Sequence, residues 1–239
     1  MSNIKVVGDH IKADNARWTF GGSVAKNFRK HVKRSIPFYE VGHDLVCKLS
    51  DFFVQDDSIC YEIGVSVGDL IAKLAQHNYK RSARWIGIDV EKNMIREAKR
   101  NVARCNNVSL EIADATLYEF EPSDFIVSYY TIQFIRPKFR QMLINKIFES
   151  LHWGGAFLWF EKIRGADARF QDIMTTLYND YKLEKKFEAH EIINKCRSLK
   201  GVLEPFSSQG NIDLLKRAGF VDYQIVMSYN CFQGILAIK

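Results

Sequence analysis

From residue 57 onward the chain alternates short β-branched and aromatic runs with amphipathic helical stripes, a pattern that a largely parallel sheet with crossover helices satisfies. The runs predict strands at Ser58–Ile63, Arg84–Asp89, Val108–Ile112, Phe125–Tyr129, Gly155–Phe160, Tyr223–Met227 and Gly234–Ile238. Between them Leu70, Ile71 and Leu74 stripe one helix, and Met94, Ile95, Ala98 and Val102 a second. Phe139, Met142, Leu143, Ile147 and Leu151 stripe a third, opened by Pro137. The expectation is a seven-stranded, doubly wound α/β sheet in one domain over residues 1–239, since no repeat or low-complexity linker divides the chain.

Two stretches interrupt the alternation. Val41, Leu45, Val46, Leu49, Phe52 and Phe53 recur at helical spacing, so residues 38–53 predict a cap helix behind a basic, less regular arm, the two together spanning 1–55. After the fifth strand an insert over 164–206 carries two more stripes, Phe170, Ile173, Met174, Leu177 and Tyr181, then Ile192, Ile193, Cys196 and Leu199. It reads as a lid or a dimer contact, and its apolar face predicts a homodimer.

The net charge of +6 is unevenly spread: residues 1–50 hold nine basic and four acidic side chains, or +5. Lys26, Arg29, Lys30, Lys33 and Arg34 concentrate it in one run. That run reads as a solvated helix face, as a means of steering a small anionic, prephenate-like substrate toward the cap, or as an RNA contact; position beside the cap favours the small anion over direct nucleic-acid contact. Five cysteines without a CxxC pair or a Cys/His cluster predict reduced thiols and no metal site. The first twelve residues hold no apolar signal core, and the apolar stretch 125–135 is too short to span a bilayer, so a cytoplasmic protein without membrane contact is expected.

Chemistry concentrates at the strand ends. The first strand runs through Glu62 into Gly64-Val65-Ser66-Val67-Gly68, where glycine allows close backbone approach and the following helix start presents free N–H groups. Alone this is either a tight turn or a ligand loop. Asp89 closes the second strand, where a carboxylate can accept both hydroxyls of a ribose, and Asp114 follows the third, where it could accept from an adenine amino group. Three such features at successive strand ends favour an adenosine site over three helix caps.

Glu62-x-Gly-x-x-x-Gly with Asp89 and Asp114 resembles the S-adenosylmethionine site of class I methyltransferases, which implies their Rossmann-like fold and S-adenosyl-L-methionine as cofactor. A narrower likeness follows from Trp18-Thr19-Phe20, the stretch 32–39, Thr131-Ile132-Gln133-Phe134, Glu161-Lys162, Lys195-Cys196-Arg197-Ser198 and Ala218-Gly219-Phe220. These are similar to the matching stretches of the carboxy-S-adenosylmethionine synthases, which belong to tRNA wobble-uridine oxyacetylation; the likeness runs from Trp18 to Lys239. In that family prephenate becomes phenylpyruvate, a sulfonium ylide forms on S-adenosylmethionine, and the ylide captures the carbon dioxide as carboxy-S-adenosylmethionine.

By position the resemblance places cofactor contacts on Tyr39, Gly64, Val65, Ser66, Asp89, Val90, Asp114, Ala115, Tyr129 and Arg197, with Tyr39 and Arg197 nearest the chemistry and Arg197 pairing the added carboxylate. Arg197 borders the apolar face of its helix and could turn inward to offer a bidentate fork, whereas Lys195 and Lys200 beside it read as solvated. The chain departs from the family at Tyr129, where an asparagine is usual, at Val65 for a cysteine, and at Val90-Glu91 for a polar pair. Trp18, Phe20, Phe28, Phe38 and Tyr39 either enclose a sulfonium or pack the cap. Besides the synthase, two readings stand: a small-molecule methyltransferase working mostly by positioning, and a non-catalytic cofactor-binding protein.

Overall fold

In the computed structural model, which describes residues 4–22 and 24–239, the N-terminal arm is regular. Strands β1 (Lys5–Val6) and β2 (Lys12–Ala13) pair as an antiparallel hairpin, followed by helices α1 (Val24–Ser35) and α2 (Tyr39–Ser50). This corrects the expected irregular arm. Val24, Ala25, His31 and Val32 are buried along α1, a stripe that the dense charges around it obscure in the sequence.

Those charges are also placed differently from expectation. Lys30 and Arg34 reach Asp9, Lys33 reaches Glu40, and Arg29 reaches Asp69. Four of the five cations in the run thus pair within the cap and its edge, rather than standing free to steer a substrate.

The sheet comprises β3 (Ile59–Ile63), β4 (Arg84–Asp89), β5 (Val108–Ile112), β6 (Ser123–Tyr129), β7 (Leu151–Lys162), β8 (Asp222–Tyr229) and β9 (Phe232–Ile238) in the order β5-β4-β3-β6-β7-β9-β8. All neighbouring pairs are parallel except those made by β9, which runs against both β7 and β8. The seven expected strands are all present. Helices α3 (Asp69–His77) and α4 (Lys92–Asn101) cover one face with α2; α5 (Pro137–Ser150) and α8 (Ser208–Ala218) cover the other.

Strand alternation divides the core accordingly: Phe125 and Val127 point to the first face, Ile126 to the second. Leu151, expected at the end of a helix stripe, instead starts β7, and α5 buries Arg140, Leu143, Ile144 and Ile147 while Met142 stays exposed. Arg140 is tolerated inside because its guanidinium donates to the carbonyls of Ile135 and Gln133 and lies over the Phe206 ring.

The insert forms α6 (Ala168–Glu184) and α7 (Ala189–Ser198) beyond the carboxyl end of β7. The stripe expected along α6 is split. Met174 and Tyr178 turn to the core, while Phe170, Ile173 and Leu177 are exposed. The segment leading from β2 bonds to the end of α7, Ala16 N–H to the Arg197 carbonyl at 2.9 Å and Trp18 N–H to that of Ser198 at 3.1 Å, so arm and insert close over the sheet together. Among the described residues no helix is long and apolar enough to cross a membrane.

Candidate functional site

From β3 the chain first builds outward through β4 and β5, then returns to place β6 on the other side, which opens a crevice at the carboxyl ends of β3 and β6. A cavity of about 850 Å³ occupies this crevice, roofed by residues of α1, α2, α6 and α7. All ten residues expected from the resemblance line it.

The loop after β3 is shaped by backbone sterics. Gly64 has φ +73°, and a Cβ there would collide with the Thr131 side chain. Ser66 is a non-glycine residue at φ +53°, held by its N–H donating to Asp89 Oδ2 at 2.9 Å. The N–H groups of Gly64 and Val65 both donate to the Ile88 carbonyl, at 2.8 and 3.0 Å. Loop and β4 are thereby one rigid ledge.

Asp89 Oδ1 accepts from Glu91 N–H at 2.9 Å, so both carboxylate oxygens are oriented and each retains a lone pair for a hydroxyl. Burial raises its pKa, and the amides of Glu91 and Ser66 pull it back down. Asp114 Oδ1 accepts from the Thr116 amide and hydroxyl, at 2.9 and 2.8 Å, which leaves Oδ2 outside these bonds. Ala115 is buried beside it and Val90 is exposed at the mouth.

Glu62 is fully enclosed at the end of β3. Burial holds its pKa well above the ordinary carboxylate range, opposed by the Ile71 backbone and reinforced by Asp69 and Asp89. Its Oε2 has no hydrogen-bond partner among the described residues. A buried acceptor of this kind is costly unless a ligand donor satisfies it. Together with a glycine ledge and two oriented aspartates, it fits the ammonium, ribose and adenine donors of S-adenosylmethionine.

Tyr129 stands at the end of β6 against α2. Its ring lies 5.2 Å from that of Tyr39 and 4.7 Å from that of His43, and burial raises the pKa of both phenols. Burial also lowers the His43 pKa to about 3, so the imidazole is neutral. The phenol in place of the family's asparagine therefore packs the cap as well as lining the cavity. Trp18, Phe20, Phe28 and Tyr39 line the cavity too, whereas Phe38 is exposed and packs edge-on against Tyr229.

At the insert end Arg197 is an exposed residue of the cavity lining. Its neighbour Lys195, read as solvated from sequence, is the inward one: its ammonium lies over the Trp18 ring, and burial, then Lys182, hold its pKa well below the ordinary lysine range. Sequence reasoning quoted Lys162 only within the resembling pair Glu161-Lys162, without a site role, and passed over Tyr178 and Lys182; all three line the same end. The signals were present: Lys162 closes β7 where ligands of such sheets bind, and Tyr178 and Lys182 are i, i+4 neighbours on α6.

Residues 61–155 match a methyltransferase domain family. Human N-acetylserotonin methyltransferase in complex with S-adenosylmethionine superposes with TM-score 0.63 at 16% identity, over 91% of this chain and 56% of that one. A structure from Methanococcus maripaludis, described as that of an S-adenosyl-L-methionine-dependent methyltransferase, gives 0.62 at 19%, over 93% and 95%. Fold and site thus define a class I S-adenosylmethionine-dependent transferase with a Rossmann-like sheet. Carboxy-S-adenosyl-L-methionine synthase of Staphylococcus epidermidis is 35% identical over 93% of this chain and 97% of its own length. That of Nautilia profundicola is 36% identical over 93% and 95%. The chain belongs to the carboxy-S-adenosyl-L-methionine synthase family.

Proposed function

We propose that the protein moves the carboxyl group of prephenate onto the methyl carbon of S-adenosylmethionine, giving carboxy-S-adenosylmethionine and phenylpyruvate. The balance closes with one water, formed from the ring hydroxyl of prephenate and a methyl proton. The observation that carries the reading is the two-ended cavity: oriented carboxylates at the β3–β4–β5 end and cations at the insert end, under one roof. A cationic end suits an anionic donor and product better than the neutral nucleophile of an ordinary methyl transfer.

S-adenosylmethionine, when bound, supplies an activated methyl group on a sulfonium. Asp89 takes the ribose hydroxyls, Asp114 the adenine amino group, Glu62 the ammonium, and the ledge Gly64-Val65-Ser66 the chain between them. Tyr39 lines the cavity beside Tyr129 and faces the bound sulfonium, and Arg197 at the rim pairs the added carboxylate. The product then serves tRNA wobble-uridine oxyacetylation in the cytoplasm. The exposed Phe170, Ile173 and Leu177 of α6 form the contact of a homodimer, which light scattering of the purified chain tests directly.

Incubation with S-adenosylmethionine, with and without prephenate, followed by mass spectrometry of the nucleoside, tests the reaction. A prephenate-dependent gain of one carboxyl group is expected. An unchanged cofactor despite measurable binding overturns the reading, and a methylated acceptor would establish direct methyl transfer to a small molecule instead.

A further inference from the structure

Three lysines reach the insert end of the cavity from three different elements, Lys162 from β7, Lys182 from α6 and Lys195 from α7. Lys162 and Lys182 share one aromatic ring: their ammonium groups lie 4.2 and 4.4 Å from the Tyr178 centroid. Lys195 covers Trp18. Among the described residues none of the three forms an ion pair with a carboxylate. Asp180 and Glu184, the carboxyls nearest Lys182 in sequence, are exposed on α6, and the neighbours of the other two lysines are engaged elsewhere. Glu161 alternates to the other side of β7, toward Arg140, and Glu191 accepts from Glu188 N–H in the capping box of α7.

Gathering ammonium groups in a partly dehydrated wall is unfavourable, and the cluster shows it: burial lowers the pKa of all three, that of Lys182 to about 8, with added repulsion from Lys162 on Lys182, from Lys182 on Lys195 and from the neighbouring Lys200 on Lys162. Cation–π contact offsets part of this cost, but an aromatic face carries no net charge. What remains is an anion site assembled in advance, with counter-charge missing on the side that opens to the cavity. Met174, Phe187 and Phe232 line the same region with apolar surface. We infer that Lys162, Lys182 and Lys195 form a subsite for a small ring compound bearing two carboxylates, its charges held by the lysines and its hydrocarbon body by the apolar side chains. The inference rests on the proposed reaction for the ring and the two carboxylates of the donor, prephenate, and on the cluster for the residues that hold them.

The test is calorimetric titration of the full chain with prephenate, with the unreactive 2-phenylsuccinate and separately with S-adenosylmethionine, for the wild type and for Lys162→Gln, Lys182→Gln and Lys195→Gln. Each substitution should weaken both dicarboxylates by about tenfold or more, while S-adenosylmethionine affinity, which also reports folding, stays within about threefold; Lys182→Arg should retain both. Dicarboxylate affinity that ignores all three substitutions overturns the subsite. So does an equal loss of S-adenosylmethionine binding in a folded variant, which would assign the lysines to the cofactor. A measurement without any variant reads the same point: 2-phenylsuccinate should protect Lys182 of the wild type from acetylation at pH 8, and unprotected Lys182 contradicts the inference. Lysine-dependent binding of 2-phenylsuccinate without carboxyl transfer from prephenate would sink the proposed reaction and leave the subsite standing. Carboxyl transfer with lysine-independent binding would do the reverse.

Discussion

The Tyr129 hydroxyl donates a 2.7 Å hydrogen bond to the Tyr39 carbonyl, joining the carboxyl end of β6 to the first turn of α2 across 90 residues of sequence. The same hydroxyl occupies the space where a side chain at position 42 would begin, so Gly42, at the end of the first turn of α2, is the complement of Tyr129. A phenol at the end of β6 thus requires a helix without a Cβ opposite it, and the pair fixes how closely the cap approaches the cavity.

Gly42→Ala should therefore destabilise the protein even though alanine is the better helix former. Helix propensity favours the substitution by about 1 kcal/mol, but overpacking a filled site costs about 1–3 kcal/mol, and here the obstacle is a hydrogen-bonded oxygen. Tyr129→Phe alone should cost about 1 kcal/mol through the lost bond. The double variant should be more stable than the sum of the two single losses predicts, since removing the oxygen makes room for the methyl. Denaturant midpoints of the four proteins measure this, and strict additivity would show that the two residues do not compete for the same space.

Asp89 orients the ledge and faces the cavity, so its two roles can be separated. Asp89→Asn keeps an acceptor for one of the two amides of Ser66 and Glu91 but gives up the charge; Asp89→Ala removes both. S-adenosylmethionine affinity should fall about tenfold or more in both variants, as expected for the loss of charge-assisted hydrogen bonds worth about 1.5–3 kcal/mol. Thermal stability should fall further in the alanine variant than in the asparagine one. Calorimetry and melting curves together decide it: unchanged affinity in both variants would remove Asp89 from the ribose.

Much of this was legible before any coordinates. Seven strands, the cap helix and the insert follow from periodicity, and the ledge with Asp89 and Asp114 from the rule that ligands sit at strand carboxyl ends. What periodicity missed has a common cause. Helix α1 carries its buried stripe among five cations, and α6 distributes apolar residues on two faces with different fates, so hydrophobic spacing alone could not separate core from cavity from surface. Lys195 read as solvated, and Lys182 drew no reading, because a lysine's burial depends on aromatic partners, Trp18 and Tyr178, brought in from elsewhere in the chain or one helical turn away. The charge excess of the first fifty residues was visible as a number, but its pairing with Asp9 depends on a hairpin of two-residue strands that leaves almost no sequence signal, and its pairing with Glu40 and Asp69 on where α1 lies against α2 and α3.

Acid should loosen that hairpin first. Asp9 has a side chain only 1% exposed, with Oδ2 3.2 Å from His31 Nδ1 and Oδ1 against Arg34. Burial pushes its pKa up, but hydrogen bonds from His31 and Arg34 and the Arg34 charge more than reverse this, to about 2. Burial keeps the His31 pKa low, so at neutral pH a neutral ring donates to the carboxylate. Because the Asp9 pKa is depressed on folding, its contribution to stability is complete above the ordinary value of 3.8 and is lost as pH falls through 2. Amide exchange across residues 5–13 should accelerate over that window while the β3–β6 amides remain protected. In Asp9→Asn the same amides should exchange faster already at pH 6, with little further dependence on acid.

Binding at the insert end should respond to pH in the opposite direction. Lys182 faces Lys162 from β7, Lys195 and Cys196 from α7, Cys231 from the turn between β8 and β9, and Tyr178 on its own helix. Burial is the main cause of its lowered pKa of about 8, followed by Lys162, with Cys196 and Cys231 acting to raise it. The ammonium form attracts a carboxylate and the amine form does not, so affinity for 2-phenylsuccinate should be highest below pH 7.5. One pH unit beyond the pKa removes about nine-tenths of the charged form, so the dissociation constant should rise about tenfold by pH 9. Lys182→Arg, which stays charged throughout, should flatten this rise without weakening the affinity at pH 7. A wild-type profile that is level from pH 7 to pH 9 would mean that Lys182 does not meet the anion.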